Sequence, residues 1–398
     1  MLQAFRPRGK TMPKSYRQVA LIIETSNAYS RGLVSGIRAY AAKHGPWSVT
    51  LGERGRLESE QTIPENWHGD GLIARIENHA TADLVTRMNV PAVDVSAARL
   101  LPDIPWVETD DEAITSLAIE HLRSCGLKNL AYLGDARFGW SRTRETSFRE
   151  QLSLPPDTSL VYTLSRHAGP GAFRWHEHEQ DLASWLQKLP KPVGIFACYD
   201  ICGQKLLEIC RRSGIAVPTD CAVIGVDNDE LICQIATPPL SSVIPNARKT
   251  GYIAAALLHR LMSDEPVSNR KHAIRPIGVQ TRASTGGVAV DDPHVASALE
   301  YLHSNSHLPL SVDSVVEQVP VSRRTLENRF RSARGRTIHD EITLCRTDRV
   351  RDLLASTQFS VFEIAEQLSF ANPEYMSVLF KRRFGTSPSR FRKDILVD

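Results

Sequence analysis

A chain of 398 residues exceeds what one hydrophobic core usually supports, so at least two domains are expected. Its 48 Lys and Arg against 45 Asp and Glu leave a net charge of only +3, too small to be diagnostic alone, so the distribution is the informative feature: local cationic patches suit phosphate contact at chosen points better than diffuse polyanion binding. No run of 18 apolar residues occurs to span a membrane, and seven singly scattered Cys form neither a disulfide framework nor a zinc spacing, a pattern expected of a reduced, cytoplasmic protein.

Residues 1–15 are basic, lack the apolar stretch of a secretory signal, and are expected to form a flexible arm. From 16 to 282, short apolar β-branched runs alternate with longer amphipathic ones, the signature of parallel strands joined by helical crossovers. Strands are predicted at 18–23, 47–51, 70–76, 91–95, 129–134, 159–164, 193–198, 221–227 and 241–244, and helices at 28–43, 111–124, 141–152, 177–189, 201–213 and 246–262. Two doubly wound α/β lobes that share a cleft accommodate so many strands, and ligands in such sheets bind beyond the strands' carboxyl ends. The small, polar, Gly-paired stretch 283–292 reads as a linker. After it, apolar residues recur only at helical spacing, at 294–304, 312–319, 322–333, 338–356, 361–368 and 373–384, so residues 293–398 form an all-α domain.

That last domain contains two helix-turn-helix patterns. VDSVVEQV is followed by a turn at Pro320-Val321 and then by SRRTLENRFRSARGR, where Arg323–Arg336 holds six Arg and one acid. SVFEIAEQL, the break Ser369-Phe370-Ala371, and NPEYMSVLFKRRFG form the second unit, and residues 381–393 hold six Lys or Arg and no acid. A helix held across a short turn can enter the major groove while its partner braces against phosphates. Ser322 and Ser360 stand at N-cap positions. The helix start lies deepest in the groove, which makes Ser322, Arg323, Arg324, Asn328 and Arg329 the DNA-contact candidates of the first unit, and Asn372, Glu374, Ser377, Lys381 and Arg382 those of the second. Leu326, Phe330, Met376, Phe380 and Phe384 should face inward. The helix at 338–356 joins the units and spans roughly 28 Å at 1.5 Å per residue, close to one DNA turn of roughly 34 Å. The plain alternative is that these arginines form only a solvated helix face.

The stretch from VVEQVPVSRRTLENRF through VFEIAEQLSFANPEYMSVLFKRRFGTSPSRFRK resembles the DNA-binding domain of AraC/XylS-type regulators, including its closing Phe384-Gly385, Pro388, Phe391 and Arg392. Pro320 and Ser369 depart from it, because both turns commonly carry glycine in that family, and a left-handed backbone is closed to Pro and costly for Ser. The segments IIETSNAYSRGLVSGI (22–37) and GVDNDEL (225–231) resemble LacI/GalR-type sensors, which share the fold of periplasmic sugar-binding proteins. A sensor of this kind ahead of AraC-type helices resembles the bacterial xylose-operon regulators. The resemblance implies a homodimer that binds promoter DNA beside RNA polymerase under control of a monosaccharide, D-xylose or a related sugar, with no cofactor, metal or membrane involved and with activation as the expected sign.

Neutral polyols need carboxylates to accept hydroxyl protons, an Arg fork to donate, and an aromatic face to cover the ring. Candidates at predicted strand ends are Asn27, Tyr29, Arg31, Arg75, Trp140, Arg142, Arg144, Asp200, Asp227 and Asn228. The resemblance places Asp200, Asp227 and one of Arg142 or Arg144 at the cleft. Each has a structural alternative: Asp200 could cap the helix beginning at Ile201, Asp227 could hold a turn, the arginines could lie on the surface, and Trp140 could be core. Asp110-Asp111 reads as a helix cap, Gly169-Pro170-Gly171 as a loop hinge, and His176-Glu177-His178 lacks metal-ligand spacing. Two rival readings are a sugar-modifying enzyme with an accessory helical domain, and a DNA-binding regulator whose first domain only dimerises. The enzyme requires a nucleophile, metal or phosphate loop, and the sequence offers no Walker or GxGxxG motif.

Overall fold

The computed structural model describes residues 16–52, 63, 67–164, 175–286, 292–305, 308, 310–357 and 359–396. The expected arm and the Gly169-Pro170-Gly171 hinge lie outside these. The chain opens with β1 (Arg17–Ile22), α1 (Ala28–His44), β2 (Trp47–Leu51), β3 (Gly71–Ala74), α2 (His79–Met88), β4 (Ala92–Asp94) and β5 (Trp106–Thr109). It then passes into a second lobe of α3 (Asp111–Ser124), β6 (Asn129–Asp135), α4 (Gly139–Gln151), β7 (Val161–Leu164), α5 (Glu179–Lys188), β8 (Val193–Ala197), α6 (Asp200–Arg212), β9 (Cys221–Val226), α7 (Glu230–Ile235) and β10 (Ser241–Ile244). Helix α8 (Ala247–Met262) returns to the first lobe, β11 (Lys271–Ile274) adds to its sheet, and β12 (Gly278–Gln280) adds to the second.

The two sheets run β11-β5-β4-β3-β1-β2 and β12-β10-β9-β8-β6-β7, parallel throughout except for β12 against β10. Strands β3 and β8 are buried at every position, because helices cover both faces of a parallel sheet. Each lobe has its own apolar core, and the chain crosses between them three times, near 110, 245 and 276. These three segments form the hinge region between the lobes.

Strands β5, β11 and β12 and helices α2 and α7 were not predicted, nor was the last helix of the chain, Pro388–Leu396. Each strand is only three or four residues long, too short to show an alternation of its own. Residues 283–286, the start of the expected linker, are part of the second lobe's body. Ser284 Oγ donates to Val223 O at 2.6 Å and accepts from Ser241 N at 2.8 Å, and only 287–291 fall outside the described residues.

The remaining elements are all helical: α9 (Pro293–Ser304), α10 (Val312–Val316), α11 (Arg323–Arg334), α12 (Ile338–Ser356), α13 (Val361–Gln367), α14 (Pro373–Phe384) and α15 (Pro388–Leu396). Side chains of Ser311, Ser322, Thr337, Ser360 and Asn372 accept amide hydrogens at the starts of α10 to α14, which explains why boundaries there were legible. Ile338 and Ile342 of α12 enter the core of the first unit, while Val350, Leu353 and Leu354 enter that of the second. Of the two turn residues that depart from glycine, Ser369 adopts φ +53°, and Pro320 takes no left-handed conformation.

Candidate functional site

Six side chains converge between the lobes: Tyr29, Arg75 and Glu108 from the first, and Trp140, Arg144 and Asp227 from the second. They leave about 10 Å³, room for roughly one water molecule. A monosaccharide can therefore enter only when the lobes separate.

On the first lobe, Arg75 directly follows β3 and is buried. Its Nη1 donates to Glu24 Oε1 at 2.7 Å and to Ser30 Oγ at 3.1 Å, its Nη2 bonds Glu77, and its guanidinium carbon lies 5.4 Å from the Tyr29 ring centre. Burial works against this charge, but the carboxylates of Glu24, Glu77 and Glu108 outweigh it and hold the Arg75 pKa above its ordinary value. Tyr29 donates to Glu108 Oε1 at 2.6 Å and accepts from Thr109 Oγ1 at 2.9 Å. Burial pushes the Glu108 carboxyl up to about 7 despite the nearby Arg75. Glu108 Oε2 and Arg75 Nε are both buried without a hydrogen-bond partner among the described residues. One acceptor and one donor in a sealed cleft, each costly to leave unmet, match the hydroxyls of a polyol.

On the second lobe, Arg144 Nε donates to Asp111 Oδ1 at 2.7 Å and Nη1 to Cys198 O at 2.6 Å. Burial opposes its charge, and Asp111 and Asp227 restore it, so its pKa also lies above the ordinary value. Trp140 stacks on Phe138 with centroids 4.9 Å apart, meets Tyr199 edge-on at 5.5 Å, and has Arg144 4.8 Å from its ring. It is at once core and cleft wall.

Asp200 does not line the cleft, nor is it an N-cap. It is the first residue of α6, and its carboxylate accepts from Ser242 Oγ at 2.6 Å, Asp229 N at 2.8 Å and Cys233 Sγ at 3.3 Å. Burial and the neighbouring Asp227 charge push it up to about 8. A Cβ on Gly225 would lie 2.3 Å from Asp200 Oδ1, so glycine is what lets the carboxylate reach this turn. Asp200 thus shapes residues 227–229, where Asp227 (φ +108°) and Asn228 (φ +48°) are left-handed.

The other candidates sit elsewhere. Asn27 caps α1, accepting from Ser30 N at 2.9 Å and donating to Glu24 Oε1 at 3.1 Å. Arg142 is exposed and donates to Ala136 O, because two helix positions from the buried Arg144 is nearly the opposite face. Asn228 accepts from Arg282 Nη2 at 2.7 Å and lines a cavity against the helical domain instead. Arg31 is half-exposed and reaches across the lobes to Asp229 Oδ2 at 3.3 Å, which also accepts from Ala28 N at 3.1 Å. Glu24, Glu108, Asp111 and Asp229 were missed as site residues. Asp110 caps α3 as expected, accepting from Ala113 N at 2.9 Å, but Asp111 pairs with Arg144. No group of three or more His, Cys, Asp or Glu among the described residues is arranged to hold a metal ion.

In the helical domain, Leu326, Phe330, Met376 and Phe380 are fully buried and Phe384 is partly so. Arg324 and Asn328, one helical turn apart, are exposed on α11, with Ser322 at its cap. Arg323 is ion-paired with Asp313 at 2.6 Å and Glu327 at 3.0 Å, and Arg329 with Asp292 at 3.1 Å. On α14, Asn372 is the N-cap, Glu374, Lys381 and Arg382 are exposed, and Ser377 is half-buried. Tyr375 and Val378, exposed on the same helix, were not anticipated. They offer apolar contact of the kind that reads a thymine methyl.

Comparison with known proteins agrees with both halves. A family pattern described as a periplasmic binding protein-like domain matches residues 119–285, a XylR N-terminal domain matches 18–112, and a helix-turn-helix domain matches 315–394. The xylose operon regulatory protein of Escherichia coli (strain K12) is 31% identical over 383 residues, covering 94% of this chain and 96% of that one. Its namesake in Haemophilus influenzae is 32% identical over 390 residues, covering 96% and 99%. The solved structure of the xylose-binding transcription activator xylR is similar, with a TM-score of 0.62 at 30% identity over 96% of this chain and 99% of that one. The cellobiose complex of the transcriptional regulator CelR, at 21% identity and a TM-score of 0.54 over 68% of this chain and 85% of that one, shares the fold of the two lobes.

Proposed function

The chain belongs to the family of xylose operon regulatory proteins, and from that membership we propose that it is a cytoplasmic activator that binds D-xylose between its two lobes. As a member it is a sugar-responsive, DNA-binding transcription regulator. The observation that carries the sugar reading is the pair of unmet buried groups at the cleft, Glu108 Oε2 and Arg75 Nε, beside the indole face of Trp140.

In this reading Glu108 and Asp227 accept hydroxyl protons, Arg75 and Arg144 donate, and Trp140 covers the apolar side of the ring. Each arginine is already oriented by carboxylates behind it, Glu24 and Glu77 for one and Asp111 for the other, so little side-chain freedom is lost on binding. The sugar bridges both lobes and sets how far they close. Closure shifts the equilibrium only as far as the sugar prefers the closed form. A homodimer would then present four helix-turn-helix units to paired half-sites beside RNA polymerase. Arg324 and Asn328 are the base-reading candidates of the first unit, Glu374 and Ser377 with Tyr375 and Val378 those of the second, and Lys381 and Arg382 supply phosphate contacts.

Calorimetry against a panel of monosaccharides, with the mixtures checked for product, tests the reading. Binding of D-xylose with no product supports it, turnover of any sugar would make the cleft enzymatic, and no heat with any sugar would leave the lobes as a dimerisation scaffold.

A further inference from the structure

Helix α12, shared by both helix-turn-helix cores, carries the bulkiest of the fully buried side chains among the described residues, Arg351. A guanidinium this deep persists only where its donors are met. Nη1 donates to Val279 O at 2.6 Å and Nη2 to Gln280 Oε1 at 3.1 Å, and both acceptors belong to β12 of the second lobe. Its own helix balances the charge, with Asp352 Oδ1 2.9 Å from Nη2 and Asp348 Oδ1 3.4 Å from Nη1. Arg383 of α14 bonds Asp348 at 2.7 Å, so one polar chain runs from the second unit's recognition helix through α12 to the sensor.

The strand it reaches has a particular place in the fold. β12 begins directly after the third crossing between the lobes and lies at the sheet edge, paired to β10 alone. A Cβ on Gly278 would stand 3.1 Å from Arg351 Nη1, and the φ of +153° there is one that side chains rarely adopt, so the strand end is shaped to admit the guanidinium. Ile277, the last residue of the crossing, packs into the second unit's core beside Val350, Leu353 and Leu354. Helix α15 meanwhile touches α8 of the first lobe. The helical module therefore sits astride the hinge, with a contact on each lobe.

We propose that Arg351 is the positioning residue that couples the sensor to DNA, tying the orientation of α12 to β12 and hence to the lobe that turns on the hinge. This rests on the reading of the chain as a sugar-responsive regulator and adds the residue through which the response passes. Interaction free energy between sugar and DNA then requires the contact, whereas either ligand alone does not.

The full-length protein, Arg351→Met and Gln280→Ala are compared by fluorescence anisotropy on a duplex selected from a random pool by the wild-type protein, with and without D-xylose. Sugar affinity is measured separately by calorimetry. The wild-type ratio of DNA affinities with and without sugar, roughly 5–150-fold in coupled systems, should collapse to no difference in Arg351→Met and shrink in Gln280→Ala, with D-xylose affinity unchanged. Should Arg351→Met fail to fold, Gln280→Ala decides alone, because it removes one acceptor on the sensor side and leaves α12 intact. Variants that keep the wild-type ratio, including ones that bind DNA more weakly by the same factor in both conditions, overturn the coupling role. A wild-type protein with no sugar dependence overturns the regulatory reading and the coupling with it.

Discussion

Replacing Glu108 by Gln should make the protein more stable and less able to bind its sugar. Burial, opposed by Arg75, raises this carboxyl from 4.5 to about 7. The folded-state pKa thus exceeds the unfolded one, the native chain holds the extra proton between those values, and the group's contribution to stability falls as pH rises from 4.5 to about 7. The difference amounts to about 3 kcal/mol at 1.36 kcal/mol per pKa unit. A hydroxyl donates more strongly to the Glu108 anion than to the neutral acid, and the anion's population climbs from about a tenth near pH 6 to about nine tenths near pH 8, so D-xylose should bind more tightly as pH rises, by up to roughly tenfold across that range. Calorimetry in two buffers of different ionisation enthalpy counts the proton released, and urea unfolding gives the stability in parallel. Glu108→Gln should bind weakly at every pH, release no proton, and exceed the wild type in stability by up to about 3 kcal/mol near pH 8. Asp200, raised to about 8, titrates nearby, but its hydrogen bonds keep it within the second lobe, so its contribution persists in the variant and cancels in the comparison. A wild-type affinity that stays flat with pH, or a Gln variant that binds normally, would refute the role given to this carboxylate.

The other predictions concern separate elements. Asp227→Asn, which keeps a residue type tolerant of the left-handed backbone at φ +108°, should abolish the D-xylose-induced thermal shift with little change in the melting temperature of the unliganded chain; a retained shift removes Asp227 from the site. Arg324→Ala should cost roughly 1–3 kcal/mol on a specific duplex and less on random DNA, whereas equal losses on both in gel-shift titrations would assign it to phosphate. Ser369→Gly should stabilise the helical domain by about 1 kcal/mol by relieving the turn at φ +53°, visible as a rise in its melting midpoint, and a fall would mean that the serine side chain supports the turn.

The helical domain was nearly transparent to sequence reading. The boundaries of α12 and α14 agree with expectation to the residue, because helix periodicity and capping side chains act within a few positions of each other. The lobes were legible as alternating strands and helices wherever a strand was long enough to show its pattern. β5 was not, and Glu108, which lines the cleft, went unseen with it. Arg142 and Arg144 looked equivalent, since the difference between them is the direction in which α4 presents each face.

Local pattern by itself determined the class of each half, the order of the α/β unit and the helical domain, and most helix limits, because these depend on interactions between near neighbours in the chain. Only the tertiary structure decided which polar residues share the cleft, that Asp200 braces a turn rather than facing the cavity, and that Arg351, one of many arginines in its segment, is buried against a strand 71 residues away. Those outcomes depend on where three hinge crossings bring two sheets and a helix. They are set by long-range packing, which no single stretch of sequence encodes.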